Sequence, residues 1–587
     1  VAARVAQELD CQLGTKVGYA IRFETLLSDE TKIRYMTDGV LLRETLMDSS
    51  LSSYSAIIMD EAHERSLHTD VLFGLLKKIS RERRDLKVIV TSATMNADKF
   101  SRFFDNAPIY TIPGRTFPVE VRYSDSVIED YVDAAIKKVI EVHLREPPGD
   151  ILVFMTGQED VEATCELLNQ QMSRIDSILP LEVLPIYSQL PSEIQARIFG
   201  PSKFRKCIVA TNIAETSLTL DMVRYVIDSG LCKTKFYNPR IGMDGLQVTL
   251  ISQANAEQRK GRAGRTGPGK CFRLYKASSY RNEMYPSNIP EIQRTNLANV
   301  VLLLKSLNVE DVLKFEFIDK PSEETTLSAM FQLWTLGALD KYGCLTKLGR
   351  RMAEFPLEPA MSRALLASID YKCVKEMLMV ISMLSVPGIY FRPKDRENEA
   401  DTQRQRLMVP ESDHLTLWNT FRLWEENNYS LSFCSEYFLQ SRSMQRVREV
   451  RDQLKDLLIG QKVRIDSCNG NTDNIRKALC AGFFPNAARV KGIGEYFNMR
   501  TGLPCKVHPS SVIFVMGYVP DYVIYHEVIY TSKEYIHCVT AVDPLWLAEV
   551  GPMFFVLKEG IDFDGKLIEK KFDIDQDVDD NRSMVKT

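Results

Sequence analysis

Two neighbouring carboxylates, Asp60 and Glu61, followed after one alanine by His63, close a run of four apolar residues at 56–59. Such a run reads as a buried parallel strand whose carboxyl end turns polar, and ligands of open α/β sheets gather at that edge. Asp60 there can hold a Mg2+ bridging nucleotide phosphates, and Glu61 can orient and deprotonate an attacking water. His63 can report the state of the edge to a neighbouring domain. Taken alone, the tetrapeptide is equally an acidic strand end beside a solvated histidine.

A second chemical cluster lies downstream, in the string Gln258, Arg259, Lys260, Gly261, Arg262, Ala263, Gly264, Arg265. Arg262 and Arg265 are three apart and share a helical face, with glycines permitting close approach of a ligand. A paired guanidinium face suits charge on a transferring phosphoryl group. A solvated basic helix end or an RNA-backbone patch is the alternative. Between the clusters, Ser92 and Thr94 end a β-branched run and can relay hydrogen bonds or merely cap a helix. Residues 156–158 and 211–217 add small polar groups at strand ends, able to meet phosphates or an RNA backbone.

Positioning these groups requires parallel sheets. From 17 to about 112, β-branched runs alternate with helical stretches, with strands expected at 17–20, 33–36, 56–59 and 87–91. Turn residues at 113–118 mark a boundary. A second β/α region follows to about 275, with strands at 150–155, 207–210 and 225–227. Val1, Val5 and Leu9, with Ala2 and Ala6, sit at helical spacing, so the sequence opens inside an amphipathic helix. From 290 the alternation stops. Helices are expected at 292–308, 330–339, 364–384 and 442–455, a small β element near 345–349, and an exposed loop or helix face at 395–406. From 489 to about 557 the pattern is β, with strands at 496–499, 512–515, 522–525 and 535–540, suggesting a small barrel. The segment from 572 is acidic and reads as disordered.

Composition narrows the field. With 45% hydrophobic and 26% charged residues, the 587-residue chain is globular, and its net charge of −4 gives no global basic footprint. Nucleic acid would have to be gripped by a local groove. The 12 cysteines form no C-x-x-C pair or zinc spacing and read as reduced thiols. No apolar run reaches the roughly 18 residues of a membrane span, so no membrane partner is expected.

In order and spacing, Thr37-Asp38-Gly39, Asp60-Glu61-Ala62-His63, Ser92-Ala93-Thr94, the 211–217 string and the 258–265 string resemble the DEAH-box helicases of superfamily 2. The resemblance implies a multidomain α/β, α and β fold: RecA-like domain 1 over 1–113, RecA-like domain 2 over 114–275, a winged helix over 276–345, a helical ratchet bundle over 346–460, an OB-fold over 461–560 and a disordered tail over 561–587. ATP and Mg2+ would bind between the RecA-like domains, with single-stranded RNA across their top. Asp60 and Glu61 would handle the metal and water, His63, Ser92 and Thr94 would couple hydrolysis to domain movement, and Gln258, Arg262 and Arg265 would meet the γ-phosphate. Arg4 and Phe199 would sandwich the adenine, with Thr216 and Asp221 completing the nucleotide site. Arg22, Thr37, Ser188 and Thr211 would touch RNA backbone. Strings at 296–305, 409–414, 491–496 and 539–543 look most like the pre-mRNA-splicing member acting at the second transesterification. That implies the nucleus, pre-mRNA or snRNA, spliceosomal proteins, and an activator docking on the OB-fold.

One departure stands out. The phosphate-cradling string G-x-x-x-x-G-K-[ST] is missing; the nearest match, 264–271, has Cys271 where the hydroxyl belongs. The expectation is an N-terminally truncated sequence, inactive alone. The competing readings are a catalytically silent RNA- or partner-binding module and another splicing DEAH helicase.

Overall fold

The computed structural model describes residues 1–93, 97–114, 117–175, 179–188, 190, 192–216, 220, 222–393, 396–492, 494–530, 533–561 and 567–573. Domain 1 contains β1 (Val17–Ile21), β2 (Glu24–Leu26), β3 (Ile33–Met36), β4 (Ala56–Met59) and β5 (Lys87–Val90). The anticipated single parallel sheet is instead two ladders. β1 pairs in parallel with β3 and antiparallel with β2, and β4 pairs in parallel with β5 alone. β4 is buried on one face only: Ile57 and Met59 point inward while Ile58 is 63% exposed. Its covered face rests on the helix Leu67–Glu82, whose Val71, Leu72, Leu76 and Ile79 form an apolar stripe. Ser66 caps that helix through the Thr69 N–H at 3.3 Å. At the start of the chain, the helix Ala2–Glu8 buries Ala2 and Ala6, whereas Val1 and Leu9 are exposed.

Domain 2 is a six-stranded, all-parallel sheet. Its order is β6 (Val119–Tyr123), β13 (Gly269–Arg273), β10 (Val223–Asp228), β7 (Asp150–Phe154), β9 (Arg205–Ala210) and β8 (Leu181–Ile186). Helices cover both faces, which is why β7 reads as an unbroken apolar run: Ile151 and Val153 face one core, Leu152 and Phe154 the other. The hairpin β11 (Leu231–Asn238) and β12 (Met243–Leu250) leaves this domain. It meets the next region through Arg240 and Glu324 at 3.0 Å and the Tyr237 and Ser328 hydroxyls at 3.3 Å.

The helical region differs in detail from what periodicity suggests. The helix expected from 292 begins at Ala298, after a short 3-10 turn at Glu291–Gln293. The 364–384 stretch is two helices, Pro359–Ala367 and Val374–Leu384, broken where Lys372 takes a positive φ of 51°. The apolar helix at 330–339 is Glu323–Thr335, Leu345 bridges back to Leu339, and 395–406 contains the helix Glu397–Gln405. The long helix Ser441–Gly460 reaches back to domain 1, where Arg446 pairs with Glu24 at 3.0 Å and the Gln453 amide donates to the Phe23 carbonyl at 2.7 Å.

Five strands close a barrel in the order β14 (Ala487–Gly492), β15 (Glu495–Asn498), β16 (Pro504–Val507), β18 (Glu534–Ala541), β17 (Tyr522–Tyr530). Val512–Val515, expected as a strand, is a helical turn. Asp413 explains it: its carboxylate accepts the Val512 N–H at 2.7 Å, the Ser511 hydroxyl at 2.6 Å and the Val539 N–H at 2.7 Å, capping the turn from another domain. The tail is not wholly irregular, because β19 (Val556–Ile561) pairs with β20 (Leu567–Asp573); 574–587 lie outside the described residues.

One core runs continuously from domain 1 (Leu42, Phe73) through the helices (Leu304, Phe355, Leu365) to Phe483 and Leu547 beside the barrel. Domain 2 keeps cores of its own. Packing therefore makes domain 1 and the C-terminal region one body, with domain 2 set against it.

Candidate functional site

The acidic edge is shaped by backbone before chemistry. Glu61 takes left-handed angles (φ 52°, ψ 38°), which cost of order 1 kcal/mol or more for a residue with a Cβ and persist where the surroundings enforce them. The enforcement comes from β5: the Ala62 N–H donates to the Thr91 carbonyl at 2.9 Å, and the Thr91 hydroxyl donates to the Asp60 carboxylate. Glu61 is thereby left half exposed, its carboxylate 3.3 Å from His63 Nδ1. That nitrogen also accepts the Ala93 N–H at 3.3 Å, so the histidine directly joins the acidic edge to the segment containing Ser92.

Domain 2 presents the helix Gln253–Gly261 and the 3-10 turn Arg262–Gly264. Ser252 caps the helix through the Asn255 N–H at 3.2 Å. Arg262 is largely buried and donates to the Glu215 carbonyl. Burial, then the adjacent Arg265 cation, pulls its guanidinium down to about 10; Glu215 and, from domain 1, Glu61 act in the opposite direction. Two crowded, partly desolvated guanidiniums make a site that an incoming anion stabilises.

Between the domains lies a cleft of about 510 Å³. It gathers His63, Ser188, Thr211 and Gln258, four of the residues singled out from sequence. Other expected residues fall elsewhere. Phe199, 57% exposed, lines a separate groove on domain 2, while Arg4 pairs with Glu8 on its own helix at 2.8 Å; no cation–π contact joins the two among the described residues. Arg22 stacks on Phe23 at 4.9 Å and donates to the Pro356 carbonyl, an interdomain tether rather than a free backbone contact. Thr37 is exposed and starts the helix Asp38–Met47. Thr94, Asp221 and the Thr216 side chain lie outside the described residues.

Sequence reasoning missed a second rank of residues. Arg259 is wholly buried between Glu215 at 2.6 Å and Asp228 at 2.8 Å, over the Phe154 ring at 4.7 Å. Burial alone would weaken its cation, but the two carboxylates more than offset that and raise its pKa above the ordinary arginine value. On the other wall, Arg65 is clasped by Asp70 at 2.6 Å and Asp319 at 2.8 Å, and Lys99 reaches Asp319 at 2.7 Å. Arg259 stood within a string already marked; its orientation toward the sheet was the hidden part.

Comparison with known families fits this geometry. The helicase conserved C-terminal domain matches residues 134–267, the helicase associated domain HA2 matches as winged helix over 329–357 and as its ratchet-like part over 358–417, and the oligonucleotide/oligosaccharide-binding (OB)-fold matches 475–554. With the acidic edge at Asp60 to His63, these matches make the chain similar in domain content to the DEAH-box helicases. It is similar to the pre-mRNA-splicing factor ATP-dependent RNA helicase prp22 of Schizosaccharomyces pombe, at 52% identity over 559 residues, 94% of this chain and 48% of that protein. The chain thus spans about half the length of that curated relative.

Proposed function

We propose that the complete protein is an ATP-dependent RNA helicase that remodels RNA–protein complexes in pre-mRNA splicing, in the nucleus. The observation that carries the reading is the cleft between the domains, which brings His63 of the acidic edge together with Gln258 of the arginine string. The similarity to prp22 supports the splicing context.

The residues fit Mg2+. Among the described residues no three His, Cys, Asp or Glu side chains form a metal cage, and Mg2+ asks for none, being held by one or two carboxylates, water and substrate phosphates. Asp60 and Glu61 would hold it, partly through water, and the bound ion would supply charge neutralisation at the phosphates. Asp60 is fixed for that task by the Thr91 hydroxyl. Glu61 would orient the attacking water, while Gln258, Arg262 and Arg265 approach the γ-phosphate from domain 2. His63 and Ser92, with Thr94, would carry the change to the domain interface. Phe199 and Arg4 would meet the base once the domains close, beside Thr216 and Asp221. RNA backbone would lie along Thr37, Ser188 and Thr211, with Arg22 acting from behind as a tether. Single-stranded pre-mRNA or snRNA is the proposed substrate strand, and the barrel is the proposed docking surface for an activating spliceosomal protein.

The test is RNA-stimulated ATP hydrolysis and strand separation by the full-length protein beside its Arg262→Ala form. Arginines in this role are typically worth about 10³ to 10⁵ in turnover, so the variant should be nearly inactive. Tight RNA binding without any turnover by the unaltered protein would replace this reading with the binding-module one.

A further inference from the structure

Thr211 and Arg262 are linked by a short, fully traceable path. The Thr211 N–H donates to the Ile186 carbonyl at 3.2 Å at the end of β8, and the Thr211 carbonyl accepts the Ala214 N–H at 3.2 Å. This begins the single helical turn Ile213–Thr216, within which the Glu215 N–H donates to the Asn212 carbonyl at 2.9 Å. Every polar group of Glu215 beyond that is committed to the helix carrying the arginine string. One carboxylate oxygen accepts from Arg259 Nε at 2.6 Å, the other from Asn255 Nδ2 at 2.6 Å, and the main-chain carbonyl accepts from Arg262.

Arg259 anchors the far side of the same helix. Its Nη1 donates to Asp228 at 2.8 Å and its Nη2 to the Leu231 carbonyl at 3.2 Å, while Asp228 also accepts the Gly230 N–H at 2.9 Å and the Tyr275 hydroxyl at 2.8 Å. A buried charge cluster of this kind contributes little net stability compared with apolar packing, so its value lies in fixing one arrangement. Planar, three-directional donation is what a guanidinium offers and an ammonium does not.

We infer that Arg259 is a positioning residue which, through Glu215, locks the turn after Thr211 to the helix bearing Arg262, so that occupancy at Thr211 sets the placement of Arg262. The relay rests on the helicase reading above, in which Thr211 meets RNA and Arg262 meets phosphate. It makes the arginine's reach toward the cleft depend on whether the Thr211 turn is held by a bound strand.

The experiment uses full-length protein and compares hydrolysis without RNA and at saturating RNA, with the KM for ATP and the melting temperature, for the unaltered protein, Arg259→Lys and Asn255→Ala. Loss of folded protein lowers both rates in proportion and leaves their ratio unchanged, so the ratio isolates coupling from stability. Arg259→Lys should cut the ratio by about fivefold or more with KM within about threefold, a loss confined to the stimulated step. Asn255→Ala, at a half-buried position, should cut it by about twofold. A ratio unchanged in both variants, or rates that fall together with the melting temperature, overturns the relay alone. An unaltered protein showing no RNA-stimulated turnover overturns the helicase reading and the relay with it.

Discussion

A Cβ added to Gly74 would lie 2.4 Å from Cε1 and 2.5 Å from Cζ of Phe315, so the glycine is a notch that seats an aromatic ring from the segment after the helix Ala298–Ser306. The contact explains how domain 1 and the C-terminal helices come to share one core. Gly74 stands inside the helix Leu67–Glu82, where alanine would ordinarily stabilise by about 1 kcal/mol. Here Gly74→Ala should instead destabilise by about 1 to 3 kcal/mol through overpacking. Denaturant unfolding gives the sign directly, and a gain in stability would show that the ring simply swings away.

The Arg65 cluster makes a sharper contrast between buried and exposed pairs. Arg65→Met leaves Asp70, wholly buried, without its main partner and should cost about 3 to 5 kcal/mol. Arg81→Ala removes a pair with Asp105, at 2.9 Å, whose side chains are both more than half exposed, and should melt close to the unaltered protein. Equal losses in thermal melts of the two variants would contradict the burial argument.

Acid should loosen the contact between the ratchet region and the barrel. His414 is wholly buried, with Nδ1 2.7 Å from the Thr540 hydroxyl. Burial, followed by His526 and His537, holds its pKa down to about 3, and burial also lowers that of His508. Because the folded value lies below the ordinary one, the unfolded chain binds the proton more tightly, and stability falls as pH drops from about 7 toward 3. The surrounding charges are Asp413 on the same helix and the Glu527 and His537 pair on β17 and β18. Between pH 7 and 5, His414 alone should account for about 2 kcal/mol. His414→Gln should flatten that slope in pH-dependent melts; an unchanged slope would assign the acid sensitivity elsewhere.

Phe199 offers a test of nucleotide placement. Its ring is exposed on domain 2, and Arg4 is paired with Glu8 on its own helix, so the proposed stack on the base would require the domains to close. Base–aromatic stacking is worth about 1 to 3 kcal/mol, so Phe199→Ala should raise the KM for ATP by about 5- to 100-fold with a smaller change in kcat. A fall in kcat at constant KM would place the ring in the chemical step instead.

Much of this arrangement was legible in the residues themselves. The run Ile151 to Phe154 announced a strand buried on both faces, and domain 2 supplies the two cores it requires. The acidic edge and the arginine string were legible because their chemistry depends on residue type and spacing, which local sequence carries. Val512 to Val515 was misread for the opposite reason. Four β-favouring residues became a helical turn because Asp413, a hundred residues earlier, supplies the hydrogen-bond acceptor that their first N–H needs. Likewise Ile57 and Ile58 are indistinguishable by residue type, yet one is buried and the other exposed, since the domain core covers one face of β4.

Sequence by itself determined which groups could do chemistry and which short segments prefer strand or helix. Tertiary structure decided which of those groups share a cleft, why Arg22 and Arg259 serve as anchors, and how His63 comes to share a cleft with Gln258. Local preferences are worth tenths of a kcal/mol per residue, whereas removing one partner of a buried arginine–carboxylate pair or overpacking a ring seated on a glycine costs about 1 to 5, and energies of that size arise only between residues that the fold brings together.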